Sequence, residues 1–341
     1  MRDQSPANAK KLAVAAGLAA ALVLAGVVFE QIGQRQDRQR YPQIGKSVDI
    51  GGRTLNIFCS GEGGPVVVFD TYGHMSGFSW SAVQAEVAKS TRACWYDRAA
   101  YGWSEPGPMP RTYQSVASDL HALLHAAAVP PPYVLVGASE AALHIRLFNG
   151  FYPGETAGVV MLNAMDGDGP QTAVPESTKG FWGRHFGSAA SSIRAVGCFV
   201  FPTLARVGVL RLAGLLQTPR GTPEFGLASE QLPELDFLSD NSTAVRGGEA
   251  CTRAEGGEQV RAAGNLGDLP LIVLASEEKI PAGTPAQQAV AANWNKLRIE
   301  RVQPGLARLS SRGRLVLMQE VTPAAIVDAV RGVLDATVVQ R

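Results

Sequence analysis

The stretch from Tyr133 to Tyr152 constrains the fold of this chain more than any other. A short apolar run ends at Val136, the small residues Gly137 and Ala138 precede Ser139, and helix-compatible sequence follows at once. This order predicts a buried strand, a sharp turn and a packed helix, with the serine on the turn. A serine there lies at a helix N-terminus, where backbone N–H groups can stabilise an oxyanion. Short serine motifs also arise by chance, so an ordinary strand-to-helix joint is the alternative.

Apolar runs and helical patterns alternate on both sides of this turn. The alternation is typical of an α/β fold with a doubly wound, mostly parallel sheet and right-handed crossovers. We expect eight strands, with Ser139 after the fifth, and a final helix opened by Thr322 and Pro323. The predicted strands are 47–50, 54–59, 65–69, 93–96, 133–136, 158–162, 269–274 and 314–318.

Two helices and one long interruption complete this pattern. An amphipathic helix is predicted over 112–127, and another over 285–302, where Pro304 and Gly305 should end it. The alternation stops between about 166 and 268, a gap of about 100 residues that is too long for an ordinary loop. We therefore predict a small helical cap inserted after strand six.

Length and charge favour one large globular domain with this insertion. The chain has 341 residues, 46% hydrophobic content and a formal net charge of +1. Such a chain has ample core, and it lacks the basic excess expected of a nucleic-acid-binding protein. We expect no nucleic-acid partner.

The N-terminus carries an uncharged run from Leu12 to Phe29. As a helix it would span about 27 Å, close to the thickness of a bilayer core. We predict an uncleaved membrane anchor within residues 1–40, followed by a polar tether over 31–41 and a globular domain over 41–341. A cleaved signal peptide is the main alternative, but no convincing small-x-small site lies between the apolar run and Glu30. Basic residues flank both ends of the run, and we favour an extracytoplasmic globular domain.

Several motifs together resemble the α/β-hydrolase superfamily, and within it the membrane-anchored hydrolases with a cap after the sixth strand. The resemblance covers residues 41–338 and rests on segments 52–55 (GRTL), 96–99 (YDRA), 101–104 (YGWS), 119–124 (DLHALL) and 132–139 (PYVLVGAS). It implies a serine nucleophile, a histidine base and an orienting carboxylate, in the chain order serine, acid, histidine. It implies no cofactor and no metal.

The chain departs from this family where the chemistry should be. The family's histidine lies in the loop after the eighth strand, but residues 318–323 contain none, and the last histidine of the chain is His185, within the predicted cap. Ser139 is followed by Glu140 where many relatives have leucine. Asn163 ends the sixth strand where relatives often show aspartate. The candidate acids are then Asp166, Asp168, Glu277 and Glu278.

Two hypotheses follow for the site. The first is a pseudo-hydrolase with little turnover, which binds a small hydrophobic ligand or a partner through its cap. The second is a serine hydrolase acting on small esters or amides, with Ser139 as nucleophile, His74 as a relocated base and Asp166 as acid. In either case the backbone N–H groups of Tyr72 and Glu140 are the expected oxyanion donors, although the Glu140 charge would oppose an oxyanion unless it points away.

The remaining histidines and the cysteines have plainer interpretations. His121 and His125 lie one helical turn apart, and metal ligation would need further ligands that the sequence does not show. We place both at a partly solvated helix edge, and we expect His144 to pack. The four cysteines allow three pairings. Cys198 and Cys251 are the favoured disulfide, and we expect buried thiols at Cys59 and Cys94.

Overall fold

The computed structural model describes residues 6–71, 73, 75–109, 111–167, 253–278, 280 and 282–338, together with 200, 203–204, 206–212, 227–228 and 231. Its centre is one eight-stranded sheet in the order β1-β2-β4-β3-β5-β6-β7-β8. β1 and β2 pair antiparallel, as do β2 and β4, and the other pairs are parallel. The strands are β1 (Lys46–Asp49), β2 (Thr54–Ser60), β3 (Val66–Asp70), β4 (Ala93–Tyr96), β5 (Tyr133–Ala138), β6 (Thr156–Leu162), β7 (Leu271–Ser276) and β8 (Gly313–Met318). The predicted doubly wound, mostly parallel sheet is confirmed.

Helices cover both faces of this sheet. The described helices are α1 (Pro6–Arg40), α2 (Ser81–Val87), α3 (Tyr113–Ala126), α4 (Ala141–Phe151), α5 (Val209–Leu212), α6 (Arg253–Ala262), α7 (Pro285–Leu297), α8 (Gln303–Ala307) and α9 (Pro323–Val338). Strand side chains alternate between two cores: Tyr133 and Leu135 face the α3–α4 side, while Val134 and Val136 face the α2–α9 side. Because both faces are buried, the central strands are continuously apolar.

The observed starts of two helices agree with the predicted ones, and the end of one helix does not. Thr112 caps α3, and Thr322 accepts a hydrogen bond from the Ala325 N–H at 3.2 Å at the start of α9. The helix predicted to stop before Pro304 instead passes through a π-helical turn, Arg298–Val302, into α8. Proline fits the first turn of α8 because its missing N–H needs no partner there.

The predicted cap lies largely outside the described residues. Among those that are described between 167 and 266, none belongs to the sheet. α6 packs against α3 and α4, and Val260 of α6 is fully buried in the core they share. Asp168, Cys198 and Cys251 lie outside the described part of the chain.

A disulfide joins Cys59 of β2 to Cys94 of β4, so the expectation of buried thiols is wrong. The two residues are direct partners in the antiparallel β2–β4 register. Antiparallel pairing brings opposite Cβ atoms close enough for a disulfide. The sequence alone does not reveal which strands are neighbours, so this pair could not be chosen from spacing.

The N-terminal helix α1 continues unbroken through the residues expected to form a tether. Its segment from Ala13 is long and apolar enough to cross a membrane. Beyond the apolar run, Arg211 of α5 contacts two carboxylates of α1, Glu30 at 2.9 Å and Asp37 at 2.8 Å. The polar end of α1 is therefore a helix held against the inserted segment.

Candidate functional site

Ser139 lies on a sharp turn between β5 and α4, as the sequence predicted. Its φ of +52° is in the left-handed region, which serine rarely adopts. The Ser139 N–H donates to the Leu162 carbonyl at 2.9 Å, and its carbonyl accepts from the Met165 N–H at 3.0 Å. A Cβ at Gly137 would come within 2.5 Å of Ile145 Cδ1 and 3.1 Å of the Ala141 carbonyl carbon, so a larger residue would require this strand–helix packing to shift. The backbone geometry is that of a nucleophile elbow.

The carboxylate of Glu140, the residue after the serine, turns back toward the loop that follows β3. Its Oε1 accepts a hydrogen bond from the Gly73 N–H at 2.6 Å. The same oxygen lies 3.5 Å from Nη1 of the buried Arg98, which also donates to the Gly73 carbonyl at 2.5 Å. Glu140 and Arg98 thus hold the β3–α2 loop through the N–H and the carbonyl of one residue, Gly73.

This arrangement affects where an oxyanion could be stabilised. In an elbow of this type, one donor is the N–H after the nucleophile and the second is an N–H of the loop after the third strand. In this chain, the N–H of Gly73 in that loop already donates to a carboxylate. Tyr72 and His74, the expected second donor and relocated base, lie outside the described residues.

Asn163, the residue directly after β6, forms hydrogen bonds to the neighbouring strand. Asn163 has a φ of +42°. Its Oδ1 accepts from the Ser276 N–H at 2.9 Å, and its Nδ2 donates to the Ser276 hydroxyl at 3.3 Å. The amide can donate and accept at once, whereas a carboxylate could only accept. Asn163 therefore joins the ends of β6 and β7.

The described acid candidates lie in different surroundings. Asp166 is half-buried, and its backbone carbonyl accepts from Arg146 at 3.2 Å. Glu277 and Glu278 follow β7 and are exposed, and Glu278 forms an ion pair with Arg298 at 2.9 Å. No hydrogen bond between these acids and a histidine occurs within the described part of the chain. Asp166 as triad acid remains a prediction.

A buried His–Asp pair lies near the elbow, and the sequence did not single it out. Nδ1 of His144 on α4 is 2.7 Å from Oδ2 of Asp70, at the end of β3, and both side chains are almost fully buried. Burial and the Asp70 charge together raise the pKa of Tyr96 well above its usual value. His144 packs, as expected, but it packs as half of a polar pair. One sequence feature could have pointed to its partner: Asp70 is the acidic residue that ends the apolar strand β3.

The family-like motifs mostly hold the fold together. Asp119 of α3 pairs with Arg53, which directly precedes β2, and with Arg111 at 2.6 Å. Asp97 accepts hydrogen bonds from the Gly77 N–H at 2.8 Å and from the Asn56 amide at 2.9 Å. Burial raises the pKa of Asp97 to about 6. These contacts join α3, β2 and the segments after β4 and before α2.

The sheet order, the elbow after β5 and the helices on both faces define an α/β-hydrolase fold, and solved structures agree. The esterase of Thermogutta terrifontis is 17% identical with a TM-score of 0.57, and the alignment covers 86% of this chain and 98% of the esterase. The epoxide hydrolase VrEH1 of Vigna radiata is 16% identical with a TM-score of 0.56, covering 85% of this chain and 96% of that one. The chain therefore has the α/β-hydrolase fold.

Sequence relatives match parts of the chain. YbdG of Bacillus subtilis is 27% identical over 143 residues, which is 40% of this chain and 42% of YbdG. YqjL of the same organism is 31% identical over 117 residues, which is 34% of this chain and 46% of YqjL. Both are uncharacterised proteins. The chain spans less than half the length of the curated relatives it matches. No protein-family model matches it.

Proposed function

We propose that this protein is a membrane-tethered pseudo-hydrolase, an α/β-hydrolase fold with little turnover. One observation carries the proposal: the carboxylate of Glu140 accepts the N–H of Gly73, in the loop that would supply an oxyanion donor. The N–H of Gly73 is therefore occupied, and Gly73 directly follows Tyr72, the residue expected to supply the second donor. The Glu140 carboxylate also lies 3.5 Å from Arg98, which offsets part of its negative charge, and the remainder opposes the charge that develops on the substrate oxygen.

The expected losses in reaction rate favour a near-complete loss of turnover over a modest reduction. Removal of one oxyanion donor costs about 10²–10³ in rate. Removal of the triad histidine costs up to about 10⁶, and residues 318–323, where the family places that histidine, contain none. The two losses act on the same step, so their effects do not simply multiply, but either alone suppresses acylation of Ser139 strongly.

The proposal includes a binding role and a location. The cap region would cover a small hydrophobic ligand or an acyl group above Ser139. The apolar part of α1 would hold the protein in a membrane, with the globular domain outside the cytoplasm. The Cys59–Cys94 disulfide supports that side of the membrane because disulfides persist in oxidising compartments.

The test is the reactivity of Ser139 toward a fluorophosphonate probe. We expect purified full-length protein to show little labelling and background hydrolysis of short activated esters, and Ser139→Ala to change neither. Glu140→Gln keeps an acceptor for the Gly73 N–H without the charge, and Glu140→Ala removes the acceptor. If the carboxylate suppresses the site, labelling of Ser139 should rise in the order wild type, Glu140→Gln, Glu140→Ala.

The alternative is a serine hydrolase for small acyl substrates, and the left-handed conformation of Ser139 favours it. Strained backbone of this kind concentrates at functional sites. Rapid probe labelling that Ser139→Ala abolishes would overturn the pseudo-hydrolase proposal. His74→Ala then decides the base: loss of labelling identifies His74, whereas retention assigns activation to another residue.

A further inference from the structure

Three side chains bring metal-binding atoms together at the edge of the sheet opposite Ser139. His121 and His125 lie on α3, and Glu155 directly precedes the first residue of β6. Their ligand atoms all lie within 4.8 Å of one another. Ser139 follows the carboxyl end of β5, whereas Glu155 lies at the amino ends of the same parallel strands, so this cluster is separate from the elbow.

The separations within the cluster suit a tetrahedral metal ion. Glu155 Oε1 lies 3.1 Å from His121 Nε2 and 3.4 Å from His125 Nε2. Zinc binds imidazole nitrogen and carboxylate oxygen at about 2.0–2.2 Å, which places neighbouring ligand atoms of a tetrahedron roughly 3.3 Å apart. Two histidines one helical turn apart on the same face are a spacing that zinc sites use.

The ligands are also held in place before any ion arrives. The His121 ring stacks on Tyr152 with centroids 3.5 Å apart and planes 6° from parallel. Around Glu155, its N–H donates to the Tyr152 carbonyl at 3.2 Å, and its carbonyl accepts from the Tyr133 N–H at 2.7 Å. Its second carboxylate oxygen, Oε2, is buried with no hydrogen-bond partner among the described residues. A buried carboxylate oxygen without a partner is costly, and a cation would satisfy it.

We propose that His121, His125 and Glu155 form a binding site for a divalent transition metal of the Zn²⁺ class. Two imidazoles and one carboxylate are a zinc ligand set, and water would take the fourth position. The ion would replace the hydrogen bonds that the two rings share with Glu155. It would join the last turn of α3 to the connection between α4 and β6, a stabilising role that does not depend on the proposed function.

The experiment measures Zn²⁺ binding directly. Full-length protein carrying a histidine-free tag is stripped with a chelator and titrated with ZnCl2 by calorimetry, and with CoCl2 by absorption for tetrahedral d–d bands. We expect one equivalent to bind and to raise the melting temperature, with no response to MgCl2. His125→Ala should weaken Zn²⁺ binding by more than about 100-fold, since even loss of an outer-shell partner costs 10–100-fold. Glu155→Gln should weaken it and abolish the tetrahedral cobalt spectrum.

A matched control keeps the number of histidines. Ala126 is exposed and adjacent to His125, so the double variant His125→Ala/Ala126→His retains two imidazoles on α3 without the one-turn spacing. It should bind Zn²⁺ as weakly as His125→Ala, with an unchanged circular dichroism spectrum. The site would be overturned if the wild-type protein bound Zn²⁺ no more tightly than this double variant. It would also be overturned if Glu155→Gln bound Zn²⁺ as tightly as the wild-type protein.

Discussion

Ser139 carries a backbone conformation that its side chain does not favour. At a φ of +52° the Cβ is crowded by its own backbone. The β5–β6 pairing and the contact with Met165 hold the residue there. Strain of this kind remains in a structure only where neighbouring contacts determine the conformation.

Replacement of Ser139 by glycine should therefore stabilise the protein, because glycine has no Cβ to crowd. We expect Ser139→Gly to be roughly 0.5–1 kcal/mol more stable than Ser139→Ala, after allowance for the entropy that glycine loses on folding. The Ser139→Ala variant keeps the Cβ and is the matched control. Urea unfolding of the two variants measures the difference, and equal stability would show that the turn is unstrained.

The sequence predicts the local conformation of some single residues but not their contacts with distant residues. Ser139 and its turn were predicted because glycine and alanine at fixed positions have a local cause. Asp70 and Glu155 were not found as partners of His144 and of His121, because those contacts depend on which strands and helices are neighbours. The sequence left the direction of the Glu140 side chain open, and its contacts with Gly73 and Arg98 in the structure show where its carboxylate lies.

The elements meet around the buried carboxylate of Asp97. Three donors reach it from different parts of the chain: the side chain of Asn56 in β2, the N–H of Gly77 before α2 and the N–H of Trp103 after β4. Desolvation outweighs these hydrogen bonds and raises the pKa of Asp97 from 3.8 to about 6. The folded protein therefore binds a proton here that the unfolded chain releases.

This difference predicts how stability changes with pH. Between about pH 4 and 6 the folded state holds more protons at Asp97 than the unfolded state, so the contribution of this group falls as pH rises. A difference of about two pKa units corresponds to roughly 3 kcal/mol. The stability advantage of wild type over Asp97→Asn should shrink by about that amount from pH 4 to pH 7 in urea unfolding. A pH-independent gap for Asp97→Asn would contradict the assignment.

Most elements were predictable, and the exceptions have physical causes. Alternating apolar runs predicted the strands, since a buried parallel sheet requires them. The helical course through Pro304 was missed because proline was expected to end the preceding helix. A π-helical turn instead places Pro304 in the first turn of α8. The Cys59–Cys94 pairing depends on strand order, which no local pattern specifies.

At the scale of the whole molecule, the proposed anchor can be tested by extraction. We expect full-length protein to remain in the membrane pellet after carbonate treatment, because Leu12 to Phe29 provide an uncharged span of bilayer length. Leu18 and Leu22 are exposed on α1. Their joint replacement by arginine should release the protein, since each charge costs about 2.5–3.5 kcal/mol at the bilayer centre. Wild-type protein in the supernatant, or a mature N-terminus beyond residue 29, would show that the run is removed or does not span.

In the proposed membrane arrangement, the unbroken course of α1 would restrict how the globular domain is oriented. From Phe29 to Arg40 the helix extends about 16 Å, and Arg211 fixes its side against the inserted segment. A flexible linker would let the domain rotate and sample all directions above the lipid. In the proposed membrane arrangement, a helix held by Arg211 would limit that rotation. An apolar molecule dissolved in that bilayer would then reach the protein by a two-dimensional search, and a restricted orientation would narrow the set of surfaces that it meets.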